Sequence, residues 1–455
     1  MKLTFHGATD EVTGSCMLLE VADSNGKPHR IVVDAGMIQG ERLCGTKNLV
    51  PFGFDPRTVE AVFVTHPHAD HTGRLPKLIR DGYAGKITMT RPGLALTRIV
   101  LEDAFHIMSE NAEKCGDPLV YSEEDLDLLI SRSEGVGYHQ AITVAPGVTV
   151  TFHDAGHVLG SAYISVDAEG KRLVFSGDIG NDHVPILPPT EPISHADFVV
   201  CESTYGDRLH EGRAERVQKL REILERTVAR GGVLMIPSFS IERTQELLYE
   251  LDQILLHEMR LNAPIFLDSP MAIRATEIYR NFSEYLQFDA DILKEADRDF
   301  FSFPNLRETL NVDASKQIND VKGAKVIIAG SGMMTGGRIM HHLMRYLPDP
   351  NNALLIIGYQ AGGTLGRKLF DKEKEVVIFG KPVQVRCQVE AIGSFSAHGD
   401  RDKLTRWLKP EEGPVPKKVL LSHGDPDAKI KFAEHLRGAL KTEVVIPKAG
   451  DVYEL

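Results

Sequence analysis

The sequence predicts an α/β protein of two or three domains, because short apolar runs alternate with amphipathic helices along its 455 residues. Nine runs rich in Val, Ile and Leu have the length of buried strands and are bounded by turn residues. They lie at 30–36, 60–66, 172–178, 197–203, 231–237, 263–269, 324–330, 353–359 and 417–423. Apolar residues at helical spacing occupy 212–229 and 241–258, so both segments are expected to be helices.

The strand–helix alternation is most regular between about 206 and 385, which predicts a parallel sheet with helices on both faces. Before 205 and after 385, polar residues that can bind metals crowd the strand ends. This contrast indicates one domain interrupted by another. We therefore expect a first domain in 1–205, an insertion in 206–385, and the return of the first domain in 386–455.

Composition excludes several classes of protein. No run of ~18 apolar residues occurs, so no membrane span is expected, and the N-terminus lacks the pattern of a secretory signal. The net charge of −12 means that any contact with nucleic acid must use a local basic surface. The cysteines are odd in number, scattered and without a CxxC motif, which favours a reducing cytoplasm. They are Cys16, Cys44, Cys115, Cys201 and Cys387.

The stretch VFVTHPHADHTGRLP places four side chains that can bind metals within six positions, directly after a predicted strand. They are His66, His68, Asp70 and His71. Histidine is the commonest metal ligand in proteins, and aspartate binds the same borderline ions. A polar loop with incidental histidines is the alternative, but four such residues in six positions favour a metal site.

One ion needs about four ligands, so further ligands must come from elsewhere in the chain. His157, Asp178 and His423 each follow an apolar run and are the candidates. Seven ligands suffice for two ions when one carboxylate bridges them, and such ions can share a hydroxide that attacks phosphorus or a carbonyl carbon. The other histidines, His106 and His139 among them, lie in ordinary polar or helical contexts, and the His341–His342 pair is read as structural.

These motifs support a comparison with a known fold. THPHADHTGRLP resembles the HxHxDH signature of the metallo-β-lactamase fold, an αββα sandwich, and the other candidates follow in the order that this superfamily uses. The resemblance implies that His66, His68 and His157 hold one zinc ion. It implies that Asp70, His71 and His423 hold a second, and that Asp178 bridges the two. Asp34 in VVDAG matches the motif whose aspartate orients metal ligands.

Further motifs narrow the comparison to one branch. Glu202 in CESTYG, His398 in FSAHGD and His423 in LSHG resemble the three additional motifs of the β-CASP nucleases. The stretches PSFSIERTQELL, GSGMMTGGR and GYQAGGTLGRKL are also typical of bacterial and archaeal members. The sequence is similar to RNase J-like proteins and to the endonucleases that process messenger-RNA 3′ ends. The resemblance implies that the insertion is a β-CASP domain, and a final histidine goes with members that cleave RNA.

The implied activity is a zinc-dependent ribonuclease that hydrolyses single-stranded RNA with a hydroxide shared by the metals, leaving the endo- or exonucleolytic mode open. The residues implied in catalysis are Asp70, Asp178, Glu202 and His398. His398 is the candidate acid for the departing 3′-oxygen, and a carboxylate such as Glu202 would favour its charged form.

Three residues are candidates for contacts with substrate phosphates. The glycine-rich GSGMMTGGR follows a predicted strand, so its backbone N–H groups could bind a phosphate with help from Ser331 and Arg338. A simple strand–helix turn explains the same glycines equally well. Arg243 is a further candidate, although a salt-bridged arginine is the commoner explanation.

Two rival functions remain open. A small-molecule hydrolase of the same fold, acting on an ester, thioester or phosphodiester, agrees with the acidic net charge, whereas the large insertion argues against it. A non-catalytic RNA-binding subunit is less favoured, because every candidate ligand is present. We expect two zinc ions per chain, with manganese as the alternative metal because availability often decides occupancy. A homodimer is compatible with the family.

Overall fold

The computed structural model describes residues 1–38, 47–116, 118–182, 184–210, 213–287, 299–358, 360–393, 396–410 and 413–455. Of the residues considered above, Cys44 lies outside these ranges. The chain forms two compact units. One contains Met1–Leu209 together with His398–Leu455, and the other contains His210–Ala397. Every candidate metal ligand therefore belongs to the first unit.

Two seven-stranded sheets form the first unit within the described residues. In spatial order, the first sheet contains β22 (Val452–Glu454), β1 (Lys2–Phe5), β2 (Met17–Ala22), β3 (Pro28–Val33), β4 (Ala61–Phe63), β5 (Lys86–Thr90) and β6 (Ser133–Val136). The strands from β22 to β3 pair antiparallel, and those from β3 to β6 pair parallel. The carboxyl ends of β3 and β4 consequently lie side by side, which is where the HxHxDH stretch begins.

The second sheet mixes the two kinds of pairing in the same way. In spatial order it contains β21 (Glu443–Val445), β20 (Lys418–Ser422), β11 (Phe198–Glu202), β10 (Lys171–Phe175), β9 (Ala162–Ala168), β8 (Val148–Asp154) and β7 (Ile142–Ala145). Strands β7 to β10 pair antiparallel, and β10, β11, β20 and β21 pair parallel. The ends of β10, β11 and β20 therefore meet at one edge and carry Asp178, Glu202 and His423.

The helices of this unit are α1 (Ala69–Thr72), α2 (Leu75–Arg80), α3 (Arg91–Cys115), α4 (Glu123–Arg132), α11 (Arg401–Trp407) and α12 (Pro426–Leu440). Short 3₁₀ turns lie at Lys47–Leu49 and Pro56–Thr58. Local sequence sets several helix ends. Ser122 and Asp125 form a reciprocal capping box at the start of α4, and Gly116 ends α3 in the left-handed conformation.

Three apolar layers hold the first unit together. Side chains from both sheets, such as Phe63 and Phe152 with ring centroids 6.1 Å apart, form the central core. Residues of α2 and α4 cover the outer face of the first sheet. Residues of α11 and α12, including Trp407 and Phe432, cover the outer face of the second. This is the αββα sandwich expected from the sequence.

The second unit has a six-stranded sheet within the described residues, and all its pairings are parallel. In spatial order its strands are β14 (Leu306–Glu308), β13 (Ile265–Leu267), β15 (Lys325–Ala329), β12 (Val233–Pro237), β16 (Ala353–Ile356) and β19 (Gln388–Ala391). Strands β17 (Glu375–Ile378) and β18 (Lys381–Gln384) form a separate hairpin. Every residue of β12, β13 and β15 is buried, so both faces of the sheet are covered.

The helices of the second unit are α5 (Arg213–Ala229), α6 (Arg243–His257), α7 (Pro270–Asn281), α8 (Val312–Gln317), α9 (Ile339–Tyr346) and α10 (Leu365–Phe370), with 3₁₀ turns at Ser283–Tyr285 and Ile318–Asp320. The expected helices at 212–229 and 241–258 correspond to α5 and α6. The expected end of the insertion at 385 differs from the structure, because β19 pairs with β16 and the unit continues to Ala397.

Two findings bear on the cellular setting. Within the described ranges, every helix is too short or too polar to cross a bilayer. Cys16, Cys201 and Cys387 are free thiols in the interior. Burial raises the pKa of the Cys16 thiol to about 11 and that of Cys387 to about 12, so both stay protonated and unreactive at neutral pH.

Candidate metal centre

The structure brings all seven candidate ligands together at adjoining strand ends. Four of them form one group in which one ligand atom from each residue lies within 4.8 Å of the others, and three form a second group by the same measure. The first group is His66, His68, His157 and Asp178, and the second is Asp70, His71 and His423. This is the division that the family resemblance implies.

Asp178 connects the two groups. Its Oδ2 lies 3.3 Å from Nε2 of His66 and 3.6 Å from Nε2 of His157. Its Oδ1 lies 3.5 Å from Nε2 of His71 and 3.6 Å from Nδ1 of His423. Because each carboxylate oxygen faces a different set of imidazoles, the side chain has the orientation that a bridging ligand requires.

The histidines are held by groups outside the two sets. Nδ1 of His71 donates to Asp34 at 2.7 Å, and Nδ1 of His423 lies 3.1 Å from the hydroxyl of Thr204. The hydroxyl of Thr65 lies 3.1 Å from Nδ1 of His66. Metal-binding histidines are usually oriented in this manner, because a bond to one ring nitrogen directs the other toward the ion.

The opposite ring nitrogens provide a test of whether the site suits a metal. Nε2 of His66, His71 and His423 and Oδ1 of Asp178 are buried without a hydrogen-bond partner among the described residues. Such atoms are costly unless something compensates them. Because they converge on two positions and are imidazole nitrogens and carboxylate oxygens, the donor set fits divalent ions such as zinc.

Asp34 is the buried anchor of the first motif. Its carboxylate accepts from the backbone N–H of Thr65 at 2.8 Å and from the Thr65 hydroxyl at 2.9 Å, in addition to His71. The residue directly follows β3 and has a φ of 60°, a left-handed conformation in which aspartate is tolerated. The position predicted from VVDAG to orient a ligand is therefore in contact with one.

The cluster carries an electrostatic bias toward cations. Burial opposes ionisation of Asp178, but the charges on His423 and His71 hold its pKa well below the usual range. Burial likewise lowers the pKa of His71, yet Asp178 and Asp34 outweigh this effect and raise it to about 10. Burial and the neighbouring His66 lower the pKa of His68 to about 3. The negative potential at His71 favours positive charge, which a metal ion can supply instead of a proton.

Glu202 and His398 form a pair beside the first group. Nδ1 of His398 lies 3.2 Å from both carboxylate oxygens of Glu202 and 3.8 Å from Oδ2 of Asp178. Backbone N–H of Ile179 also donates to Glu202 at 2.7 Å, which fixes the carboxylate. Burial lowers the pKa of His398, but Glu202 and Asp178 reverse the effect and raise it to about 9. The two carboxylates thus favour the charged form of this imidazole.

Two glycines permit the close backbone packing on which the cluster depends. A Cβ on Gly36 would lie 1.5 Å from the backbone oxygen of Asp70. A Cβ on Gly180 would lie 1.9 Å from the backbone oxygen of Gly156, next to His157. Neither position has room for a side chain, because the obstacle is backbone rather than a flexible side chain.

The residues expected to contact phosphates lie in the second unit, and two of them, Arg338 and Ser331, form hydrogen bonds within the protein. Arg338 donates to Oδ1 of Asp268 at 2.8 Å and to the backbone oxygens of Thr309 and Leu310 at 2.7 and 3.0 Å. Ser331 accepts from the N–H of Thr335 at 3.1 Å within its own turn. These bonds hold the loop together, so the turn interpretation of the glycine-rich stretch gains support.

Arg243 requires a correction. The sequence analysis offers it as an RNA contact, but the residue is 4% exposed at the start of α6 and forms an ion pair with Glu246. Arg216 pairs with the same carboxylate at 2.8 Å. A guanidinium enclosed in this way stabilises the packing of α5 and α6 and cannot reach a phosphate in solvent.

Sequence reasoning did not identify the two hydroxyls that hold ligands. Thr65 directly precedes His66, so its position beside the motif was a usable signal. Thr204 lies 219 positions from His423, and no spacing pattern connects the two. Sequence reasoning also missed the buried contact between His342 and Asp268, 2.7 Å apart, although it read that histidine as structural.

Comparison with protein families agrees with this architecture. A model of the metallo-beta-lactamase superfamily matches residues 9–237. A Beta-Casp domain model matches residues 244–369, and a model described as a Zn-dependent metallo-hydrolase RNA specificity domain matches residues 382–447. Together the three models account for most of the chain.

Similar proteins have related descriptions. The chain is 39% identical to "Ribonuclease TTHA0252" of Thermus thermophilus over 94% of each protein. It is 31% identical to an "RNase J-like protein" of Methanocaldococcus jannaschii over 99% of each. A crystal structure of a protein of unknown function from Enterococcus faecalis shares the fold, with a TM-score of 0.54 at 12% identity, covering 100% of this chain and 99% of that one. The chain belongs to the β-CASP family of metallo-β-lactamase-fold hydrolases.

Proposed function

We propose that the protein is a zinc-dependent ribonuclease that hydrolyses phosphodiester bonds of single-stranded RNA. The observation that carries the proposal is the position of Asp178, whose two oxygens face separate groups of imidazoles and whose Oδ2 lies 3.8 Å from Nδ1 of His398. The printed names of two similar proteins, a ribonuclease and an RNase J-like protein, support RNA as the substrate.

Zinc, when bound, supplies a nucleophile from water at neutral pH and offsets charge on the phosphate oxygens. The chain's own residues would do the rest. Asp178 would hold the two metal positions at a fixed separation. Asp34, Thr65 and Thr204 would orient the imidazoles, so that little reorganisation accompanies the reaction.

His398 would act at the leaving group. A departing 3′-oxygen needs a proton, and His398 would supply it from a ring whose pKa is raised and which is 19% exposed, so substrate can reach it. Glu202 would keep the imidazolium charged and would fix its orientation through Nδ1. In this arrangement Nε2 of His398 is the atom that donates the proton.

Further proposals concern the cellular location, metal content, oligomeric state and domains of the enzyme. The buried free thiols agree with a reducing cytoplasm, where we place the protein. We propose two zinc ions per chain and a homodimer, which metal analysis and light scattering would measure. We also retain the domain assignment in which the metal centre belongs to a metallo-β-lactamase domain and the insertion to a β-CASP domain.

The decisive experiment is a time course on end-labelled single-stranded RNA and DNA of one sequence, with Asp178→Ala as the inactive control. We expect cleavage of RNA alone and no cleavage by the variant, and the product ladder identifies the endo- or exonucleolytic mode. A chromogenic phosphodiester is tested in parallel. If that compound is hydrolysed while RNA stays intact, the small-molecule hydrolase suggested by the net charge of −12 takes precedence.

A further inference from the structure

A further cluster of side chains that could bind a metal lies in the first unit, separate from the central cluster. It contains His139, His153 and Glu191, and one ligand atom from each lies within 4.8 Å of the others. None of the three belongs to the motifs considered above, and the sequence analysis sets His139 aside. We propose that these residues form an additional binding site for a divalent transition-metal ion such as Zn²⁺.

The two imidazoles approach the same carboxylate. Nε2 of His139 lies 3.2 Å from Oε1 of Glu191, and Nδ1 of His153 lies 3.8 Å from Oε2. Two ligands at about 2.0–2.2 Å from a tetrahedral zinc ion are roughly 3.3–3.5 Å apart, so small rotations complete the geometry. The ring centroids of the histidines are 5.5 Å apart. A cation between them would hold both as neutral ligands, whereas a plain ion pair would need only one histidine.

The ring of His153 is oriented by neighbouring side chains before any ion binds. The residue lies on β8, and its Nε2 is 3.0 Å from the hydroxyl of Ser165 on the neighbouring strand β9. Its ring stacks on Tyr163 with centroids 4.6 Å apart and planes inclined by 11°. A proton on Nε2 that is donated to Ser165 leaves the lone pair on Nδ1, and Nδ1 is the atom that faces Glu191. Metal-binding histidines have such outer partners.

Glu191 is held from several sides. Its backbone N–H donates to the carbonyl of Asp154 at 2.9 Å, and its carbonyl accepts from the indole N–H of Trp407 at 3.1 Å. The N–H of Asp154 points to Oε1 of Glu191 at 3.3 Å. The backbone N–H of His139 donates to the carbonyl of Phe152 at 2.9 Å, which places it beside His153. All three ligands are therefore supplied by anchored backbone.

The partial exposure of the site determines its chemistry. His139 is 61% exposed, Glu191 30% and His153 19%, so solvent reaches the position between them. Three protein ligands leave the fourth position of a tetrahedral ion for water. An ion here would join the segment after β6, strand β8 and the segment before β11. His153 is near the end of β8, and His157 of the central cluster follows four residues later in the loop after that strand.

The test is equilibrium dialysis of the full-length enzyme against buffers of rising free Zn²⁺, with metal per chain measured by mass spectrometry. We expect the wild-type protein to bind one ion more than His139→Ala and one more than His153→Ala. Ser165→Ala should retain the site with affinity reduced roughly 10-fold, because it removes only the orienting hydroxyl. The exposed position of His139 means that its substitution leaves the core intact, and circular dichroism checks this.

His106→Ala is the matched control. His106 lies 3.2 Å from Glu110, the same distance as in the His139–Glu191 pair, but among the residues that the structure describes the pair belongs to no three-ligand group. This variant should bind as much zinc as the wild type. Equal zinc content in wild type, His139→Ala and His153→Ala would overturn the proposal, whatever the number of ions in the central cluster.

Discussion

Nδ1 of His398 lies 3.2 Å from both carboxylate oxygens of Glu202, although the two residues are 196 positions apart in the chain. The pair forms within the first compact unit, because His398 is the residue at which the chain returns to that unit. The isolated bridge between Gly180 and His398 places the histidine beside the loop that carries Asp178.

His398→Asn should reduce kcat by roughly 10²–10⁴-fold with little change in KM, because it removes a proton donor without removing a proposed metal ligand. Cleavage of labelled RNA and zinc per chain are measured on the same preparation. His435→Ala, at a partly exposed position of α12, serves as the control and should match the wild type. Loss of zinc from His398→Asn would show that the residue binds metal instead.

Asp178→Asn should lower zinc content and abolish activity, since a neutral amide cannot bridge two cations. Treatment of the wild-type enzyme with a chelator should have the same effect on cleavage, and added zinc should restore it. Metal analysis after dialysis distinguishes these outcomes. An Asp178→Asn protein that keeps its full zinc content and its activity would contradict the proposed bridge.

Thr204→Val should weaken metal binding by roughly 10-fold, because Nδ1 of His423 loses its hydroxyl partner. Thr204→Ser retains the hydroxyl and should behave as the wild type. Competition with a chromophoric zinc chelator gives the affinities of both variants. If Thr204 only stabilises the fold, Thr204→Val will lose thermal stability without any change in zinc affinity.

Gly36→Ala should destabilise the first unit and lower its zinc content together, since the added Cβ collides with the backbone at Asp70. Gly137→Ala is a matched comparison, because Gly137 also belongs to the first unit, lies outside the left-handed region as Gly36 does, and has open space where a Cβ would be added. Thermal melting and metal analysis should show the larger effect for Gly36→Ala. Normal zinc content in a folded Gly36→Ala protein would contradict the close packing described.

Lys429 should make stability depend on pH in the alkaline range. The side chain is fully buried on α12 and donates to the backbone oxygen of Thr9, and burial lowers its pKa to about 8. The unfolded chain has a lysine pKa near 10.4. Between these values the unfolded state binds more protons, so the contribution of Lys429 to stability rises as pH increases from about 8 to about 10.4.

Lys429→Met retains the alkyl chain and removes the titration. The free energy of unfolding of the wild type, taken relative to this variant, should therefore increase across that pH range, by at most roughly 3 kcal/mol. Urea titrations of both proteins at several pH values measure the difference. A difference that stays constant with pH would show that Lys429 titrates normally.

The sequence predicted the parts of the fold that depend on local pattern. All nine apolar runs contain strands, from β3 at 30–36 to β20 at 417–423, because buried parallel strands need continuous apolar residues. The second compact unit extends past residue 385 to Ala397 and includes β19, which is half exposed and reads as a polar segment in sequence. Pairing with β16 determines its place, and pairing across the chain has no local signature.

The candidate site was predictable where motifs are dense and where a family resemblance supplied the rest. The HxHxDH stretch predicts a metal site by itself, whereas His157 and His423 became candidate ligands only because that stretch required more ligands. Arg243 shows the limit of this reasoning, because its burial against Glu246 follows from the packing of two helices. The His139–His153–Glu191 group was invisible for the same reason, as the fold alone unites its members.

The position of His423 has a consequence for biosynthesis. Strand β20, which precedes it, pairs with β11, while all six other proposed ligands lie more than 200 residues earlier in the chain. The ligand set of a nascent polypeptide on the ribosome therefore stays incomplete until the insertion and the returning segment have been translated. The order of synthesis itself thus delays the appearance of a complete centre until His423 has left the ribosome.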